Sequence, residues 1–175
     1  MTKSMKVYVV ALALALPAGW ASGADKLSSA DQKFVKDAAE ANLMEVELGK
    51  LAEQKAASPQ VKEFGRQMEQ DHGKAEQELQ QLAASKNVQL PQKLEGKHKA
   101  TVDRLSKLSG EKFDREYMKT MIDDHKEDVS KFQQEASQAK DPDVKNFASK
   151  QVPTLKKHLE MAQSAGQQVG ATNSR

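Results

Sequence analysis

Four histidines carry most of the chemistry that this 175-residue sequence can offer: His72, His98, His125 and His158. Two of them directly follow an aspartate, in the pairs Asp71-His72 and Asp124-His125. An imidazole nitrogen is a ligand for iron, copper and zinc, and a carboxylate beside it either joins the metal or accepts the second ring N–H. The first hypothesis from the sequence is therefore a metal site.

Glutamate and methionine side chains extend this candidate site. Glu69 precedes His72 by three residues, the Glu-x-x-His spacing that puts both side chains on one helical face. Met68 lies four residues before His72, and Met121 stands in the same relation to His125. Thioether beside imidazole favours copper, whereas carboxylate beside imidazole suits iron or zinc. The sequence leaves the ion open between iron, copper and zinc.

The depth of these residues along the predicted helices brings one side chain from each helix into a central layer. Counted from a turn near residue 57, Glu45 and His72 lie at nearly the same depth, at about 1.5 Å per residue. His125 and His158 lie at similar depths from a second turn near residue 140. The predicted ligands are Glu45, Glu69, His72, His125 and His158. The alternates or supporting groups are Asp71, Asp124, Met68, Met121 and His98, the last closing the site from the crossover.

The same residues also allow a reading without metal, because a buried, hydrogen-bonded polar layer can fix helix register by itself. A di-iron carboxylate pattern is incomplete, since Leu155 stands where that pattern has a glutamate before His158. No catalytic residue and no organic cofactor site are predicted. Storage, sequestration or redox buffering of a metal fits better than turnover of an organic substrate. The alternative function is a non-catalytic structural or stress-related interaction protein of the cell envelope.

Four long amphipathic segments must position these side chains, at about 30–57, 59–87, 110–139 and 141–166. Apolar residues recur three and four apart in each of them. Two of the segments begin at Ser58-Pro59 and Asp141-Pro142, a capping residue followed by proline. The long connection between the second and third segments contains its own short apolar stripe. This pattern predicts an all-α, ferritin-like four-helix bundle of two antiparallel hairpins joined by a long crossover that contains a short helix.

The N-terminal residues predict export. Lys3 and Lys6 precede the apolar run 7–16, and the small residues 21–24 offer a cleavage site. We expect a signal peptide at 1–24, the bundle domain at 25–166 and a flexible tail at 167–175. The predicted location is the bacterial periplasm, in possible association with the cell envelope, without an integral membrane span after signal removal.

Composition limits the other partners. Lys and Arg number 27 and Asp and Glu number 25, without a basic stripe, so nucleic acid is not a predicted partner. The chain has no cysteine, which excludes thiolate metal ligands and disulfides. The sequence does not indicate which proteins it contacts.

Residues spread over about 30–165 form a pattern similar to that of a known family. These residues are Phe34, Asn42, Glu45, Leu48 and Gly49, the two Asp-His pairs, Gly110, Phe113, Asp114, Tyr117 and Met118, and Pro153, Leu155 and His158. Together they resemble domain of unknown function 4142, an exported bacterial family often labelled as an outer membrane protein. The resemblance implies a ferritin-like fold and export. It implies no reaction, because no activity is established for that family.

Overall fold

The computed structural model describes residues 26–172, so the predicted signal peptide lies outside the described residues. Five helices follow one another: α1 (Ser29–Lys55), α2 (Pro59–Ser85), α3 (Gly96–Leu105), α4 (Gly110–Gln138) and α5 (Pro142–Gln168). No strand occurs between residues 26 and 172. The all-α prediction is confirmed.

Capping signals start two of the long helices where the sequence predicts. The Ser58 hydroxyl accepts the N–H of Val61 at 3.4 Å, and the Asp141 carboxylate accepts the N–H of Val144 at 3.2 Å. A proline follows each cap, and its missing N–H costs nothing in the first turn of a helix. These caps fix where each hairpin turns back.

The helices form two antiparallel hairpins, α1 with α2 and α4 with α5. The long crossover carries α3, which lies against α1 and α4. On the opposite side of the bundle α2 packs on α5, whereas α1 and α4 meet over only a short length. This is the predicted ferritin-like arrangement, and it leaves a partly open seam between α1 and α4.

Two apolar clusters fill the bundle, one toward each end. The cluster near the α1–α2 turn includes Leu48, Val61, Phe64, Phe113 and Tyr117. The cluster near the α4–α5 turn includes Val35, Leu79, Phe132, Val144 and Phe147. Between them lie the buried polar side chains Asn42, Glu45, His72, His125 and His158. The bundle thus has a polar layer near its middle.

The C-terminal end of the bundle extends slightly beyond the predicted domain. Helix α5 continues to Gln168, and Val169 and Ala171, which fall in the predicted tail, pack against the cluster near the α1–α2 turn. None of the helices in residues 26–172 is long and apolar enough to cross a bilayer.

Candidate metal centre

Three imidazoles from three helices meet in the polar layer. His72 comes from α2, His125 from α4 and His158 from α5, and one nitrogen of each lies within 4.8 Å of the other two. The ring centroids are 5.4 to 5.7 Å apart. The three residues are only 5%, 0% and 1% exposed. We call these three residues the histidine cluster.

Hydrogen bonds to the outer ring nitrogens fix two of the tautomers. His72 Nδ1–H donates to Asn42 Oδ1 at 2.9 Å, and His125 Nδ1–H donates to the Met121 carbonyl at 2.9 Å. Both acceptor oxygens lack a proton of their own, so the ring must supply it. The other nitrogen of each neutral ring, Nε2, therefore carries a lone pair.

The third histidine is held by a carboxylate. His158 Nε2–H donates to Asp71 Oδ2 at 3.0 Å, and Gln67 donates to the same oxygen at 2.6 Å. Burial opposes ionisation of Asp71, but the hydrogen bonds from His158 and Gln67 hold the pKa of this carboxyl below its usual range. Asp71 thus stays ionised and leaves the lone pair of His158 on Nδ1.

The inward nitrogens have no hydrogen-bond partner. His72 Nε2, His125 Nε2 and His158 Nδ1 are all buried and unpaired within the described structure. Buried polar atoms are normally paired, so three unpaired ring nitrogens in one buried cluster are costly. A cation bound by them would remove this cost.

The pKa values of all three imidazoles lie below the usual histidine value, which favours uncharged rings at neutral pH. Burial, reinforced by the charge that His158 would carry, lowers the pKa of His125 to about 4. Burial also lowers the pKa of His72, with further effects of the two neighbouring rings, and it lowers the pKa of His158 despite Asp71. Neutral rings bind a metal without first losing a proton.

A small cavity of about 10 Å³ adjoins the cluster between α2 and α5. His72, His158, Asp71 and Gln151 are among the residues that line it. That volume is close to the minimum that holds one water, about 10–15 Å³. The side chain of Asp71 is 22% exposed, so this carboxylate links the buried His158 ring to the protein surface.

Glu45 lies in the same polar layer but is not among the side chains whose ligand atoms converge. It is fully buried, and neither of its carboxylate oxygens has a partner. Burial raises its pKa well above the usual range, and the carboxyls of Asp124 and Asp128 raise it further. Burial and these two carboxyls therefore favour the protonated form of Glu45, unless a positive charge comes close.

The structure places the other predicted residues around the histidine cluster. Met68 and Met121 are fully buried in the apolar cluster near the α1–α2 turn. Glu69 lies beside Lys50 of α1, with its carboxylate 3.9 Å from the ammonium and its side chain 36% exposed. His98 Nδ1 is 3.4 Å from a carboxylate oxygen of Glu40.

Asp124, the last of these residues, lines a groove between α1 and α4 and does not ligate with the cluster. Asn42, which accepts a hydrogen bond from His72, is the residue of this site that the sequence analysis did not assign, although it belongs to the family-like motif. Its signal was a single amide on an apolar stripe of α1, seven residues after Val35 and three after Ala39.

Fold and site together define an all-helical bundle of two hairpins with a buried three-histidine centre. The chain belongs to the family described as Domain of unknown function (DUF4142), whose model matches residues 16–165. The family resemblance noted in the sequence is confirmed. No curated protein matches the sequence.

A solved structure supports the fold independently. The crystal structure of a DUF305 fragment from Deinococcus radiodurans is similar, with a TM-score of 0.72 and 14% sequence identity. The match covers 82% of this chain and 99% of that one. At this identity the likeness shows the fold alone.

Proposed function

We propose that this protein binds one transition-metal ion through His72 Nε2, His125 Nε2 and His158 Nδ1. One observation carries the proposal: three histidines with ligand nitrogens within 4.8 Å of one another each have one buried, unpaired ring nitrogen, while an acceptor holds the opposite nitrogen. Metal-bound histidines have this arrangement, in which the second N–H is held by a carbonyl or carboxylate. A purely structural layer would instead pair the inward nitrogens with donors.

The donor set and its surroundings favour holding an ion over turning over a substrate. Three neutral imidazoles suit copper, zinc or iron(II), and the usual order of affinities puts copper(II) first. The cavity beside the cluster holds about one water, which leaves no room there for an organic substrate. Storage, sequestration or redox buffering is the role that we propose.

Residues 1–24 have the pattern of a signal peptide, so we place this activity in the bacterial periplasm. A metal-free structural or stress-related interaction protein of the cell envelope is the competing function. The unpaired inward nitrogens favour metal binding over it, because a purely structural protein gains nothing from leaving them unpaired.

The deciding experiment is elemental analysis of protein purified without chelator or affinity tag, followed by titration with Cu²⁺, Zn²⁺ and Fe²⁺. We expect one ion for each chain and a rise in thermal stability, which amounts to about 2.7 kcal/mol when free metal is about 100 times Kd. His72→Ala combined with His125→Ala should remove both effects while circular dichroism stays helical.

His98→Ala is the matched control, because His98 lies beside Glu40 and outside the histidine cluster. This variant should bind metal as the unaltered protein does. If the unaltered protein binds none of the three ions more tightly than about 1 μM, near −8 kcal/mol, the cluster is structural and the proposal is wrong.

A further inference from the structure

A groove of about 780 Å³ lies between α1 and α4, beneath the start of α3. It exists because α1 and α4 meet over only a short length while α3 crosses above them. Its volume falls within the range of small-molecule sites, about 300–1,000 Å³. None of the three histidines of the cluster lines it, so it is a separate site.

The floor of the groove is apolar. Phe34, Ala38, Ala41 and Met44 come from α1, and Phe132 comes from α4. The rings of Phe34 and Phe132 meet edge to face, with centroids 5.0 Å apart. This floor offers contact area for one aromatic ring or a short alkyl chain, and aromatic rings also attract cations.

The lysines of the groove are already paired. Lys33 forms an ion pair with Asp37, and Lys131 forms one with Glu127. Lys97 also approaches Glu127, at 4.0 Å. Lys97 acts through space on Asp124 and Asp128, and Lys131 acts on Asp128, but within residues 26–172 no lysine forms an ion pair with either aspartate.

Asp124 and Asp128, one helical turn apart on α4, are two carboxylates of the groove. Within residues 26–172 neither accepts a hydrogen bond or forms an ion pair, and only through-space charges act on them besides burial. Both also act on Glu45, which is fully buried on the inner side with two unpaired oxygens. Half-buried carboxylates without an ion-pair partner are costly, and a cation bound between α1 and α4 would offset that cost.

We propose that this groove binds a small organic cation, an amine or guanidine whose charged head contacts Asp124 and Asp128. Its apolar body lies on Phe34, Ala38 and Phe132. A bare metal ion would leave the apolar floor unused, and a neutral or anionic ligand would leave the two carboxylates without an ion-pair partner. This site does not depend on metal binding at the histidine cluster.

The test compares 2-phenylethylamine with its neutral analogue 2-phenylethanol by calorimetry and by amide NMR shifts on the purified protein. We expect the amine to bind at least about tenfold more tightly, because the neutral analogue lacks the charge-assisted hydrogen bonds. Shifted amides should map to the groove-facing sides of α1 and α4. Asp128→Asn should weaken amine binding at least about tenfold. Asp123→Asn, the same charge change at an exposed neighbour outside the groove, should not.

A second variant tests the floor. Ala41→Leu fills the groove with a larger side chain and should weaken amine binding, while thermal unfolding shows that the bundle is intact. The His72→Ala, His125→Ala double variant should bind the amine normally, which separates this site from the metal centre. Equal binding of the alcohol, unchanged affinity in Asp128→Asn, or Ca²⁺ binding the groove more tightly than the amine would each overturn the proposal.

Discussion

Asp31 and Asp114 occupy equivalent places in the two hairpins, and each closes the turn of the other hairpin. The Asp114 carboxylate accepts the backbone N–H groups of residues 57 and 58 at 3.1 and 2.8 Å. The Asp31 carboxylate accepts those of residues 140 and 141 at 3.3 and 3.0 Å. The two aspartates and the two turns are separated by the same 83 positions, so the bundle has an approximate internal two-fold axis.

The polar layer follows this axis only in part. The equivalents of Asn42 and Glu45 are His125 and Asp128, so these positions are polar in both halves. The equivalent of His72, however, is a leucine. A nearly symmetric scaffold thus carries an asymmetric histidine cluster, in which α1 contributes a hydrogen-bond acceptor instead of a ligand.

Each of these aspartates closes the turn of the other hairpin. We therefore expect Asp31→Ala and Asp114→Ala each to destabilise the protein by about 2–4 kcal/mol, since each removes two hydrogen bonds to a buried carboxylate. Asp→Asn at either position should cost less, because one acceptor oxygen remains. Urea unfolding measures both effects, and Asp103→Ala on exposed α3 is the control, expected within about 0.5 kcal/mol. A loss below that level at Asp31 and Asp114 would show that the turns hold without them.

Gly65 marks the closest approach of α1 and α2. A Cβ atom there would lie 2.6 Å from Ala52 Cβ and 2.8 Å from the Gly49 carbonyl oxygen. Gly65→Ala should therefore destabilise by about 1–3 kcal/mol or more, because it forces two helix backbones apart. Gly73→Ala on the same helix meets nothing within 4 Å and should stabilise by up to about 1 kcal/mol. Thermal unfolding compares the two, and equal effects would contradict the close approach.

Much of this architecture is predictable from local signals. The caps at Ser58 and Asp141 and the three-four spacing of apolar residues predict the hairpins, because both are properties of single helices. Counting residues from the turns gives the depth of the polar layer correctly, since the rise along a helix is nearly constant. Three of the five predicted ligands, His72, His125 and His158, do come together.

The direction in which a side chain points around its helix axis is less predictable from the sequence than its depth along the bundle. Glu69 shares a helical face with His72 by spacing, but the tight packing of Gly49 against Gly65 places it beside Lys50. Asn42 contacts His72 across the interface between α1 and α2, which the residue spacing within one helix does not indicate. The groove was not predictable from the sequence either, because its size depends on the distance between α1 and α4 beneath α3.

Histidine burial predicts that the metal-free protein loses stability in acid. The pKa of His125 is about 4 in the folded protein and near 6.5 in the unfolded chain. Between these pH values the unfolded chain binds a proton that the native state does not bind. His125 contributes about 3 kcal/mol to the free energy of unfolding above pH 6.5, and this contribution is lost as the pH falls toward 4. His72 and His158 act in the same direction.

Urea unfolding with chelator present, between pH 4 and 8, measures this loss. His125→Gln should flatten the acid limb of the curve, because this side chain does not titrate. His98→Gln should leave the curve unchanged, since His98 lies outside the cluster. Identical acid limbs in His125→Gln and the unaltered protein would contradict the buried, neutral imidazole.

Asp128 should act in the opposite sense. Burial raises its pKa to about 7, with Asp124 and Glu127 adding to the rise and Lys131 opposing it. An acid with a raised pKa contributes stability that is complete below about pH 3.8 and lost as the pH rises through 7. Asp128→Asn should therefore stabilise the protein at pH 8 by an amount on the order of 3 kcal/mol, and the difference should vanish near pH 4. Unfolding at the two pH values tests this, and an equal effect at both would contradict it.

Asp71 allows a test of the metal centre that leaves the three imidazoles in place. It accepts a hydrogen bond from His158 but supplies no converging ligand atom. Asp71→Asn should lower metal affinity about 10–100-fold, because the weaker acceptor no longer fixes the tautomer that presents Nδ1. A competition titration with Cu²⁺ measures the affinity, and the d–d absorption band reports the changed ligand field. Asp71→Glu, which restores a carboxylate, should recover part of the affinity.

Glu69→Gln is the matched control, two residues away on the same helix and with the same loss of charge. Its carboxylate lies beside Lys50, so its removal should change metal affinity by no more than about twofold, as for a surface substitution. The absorption band should also stay where it is, since no nitrogen of the cluster loses its hydrogen bond. If Glu69→Gln weakens binding as much as Asp71→Asn and shifts the band, Glu69 is a ligand. The three-nitrogen centre would then be an incomplete description of the site.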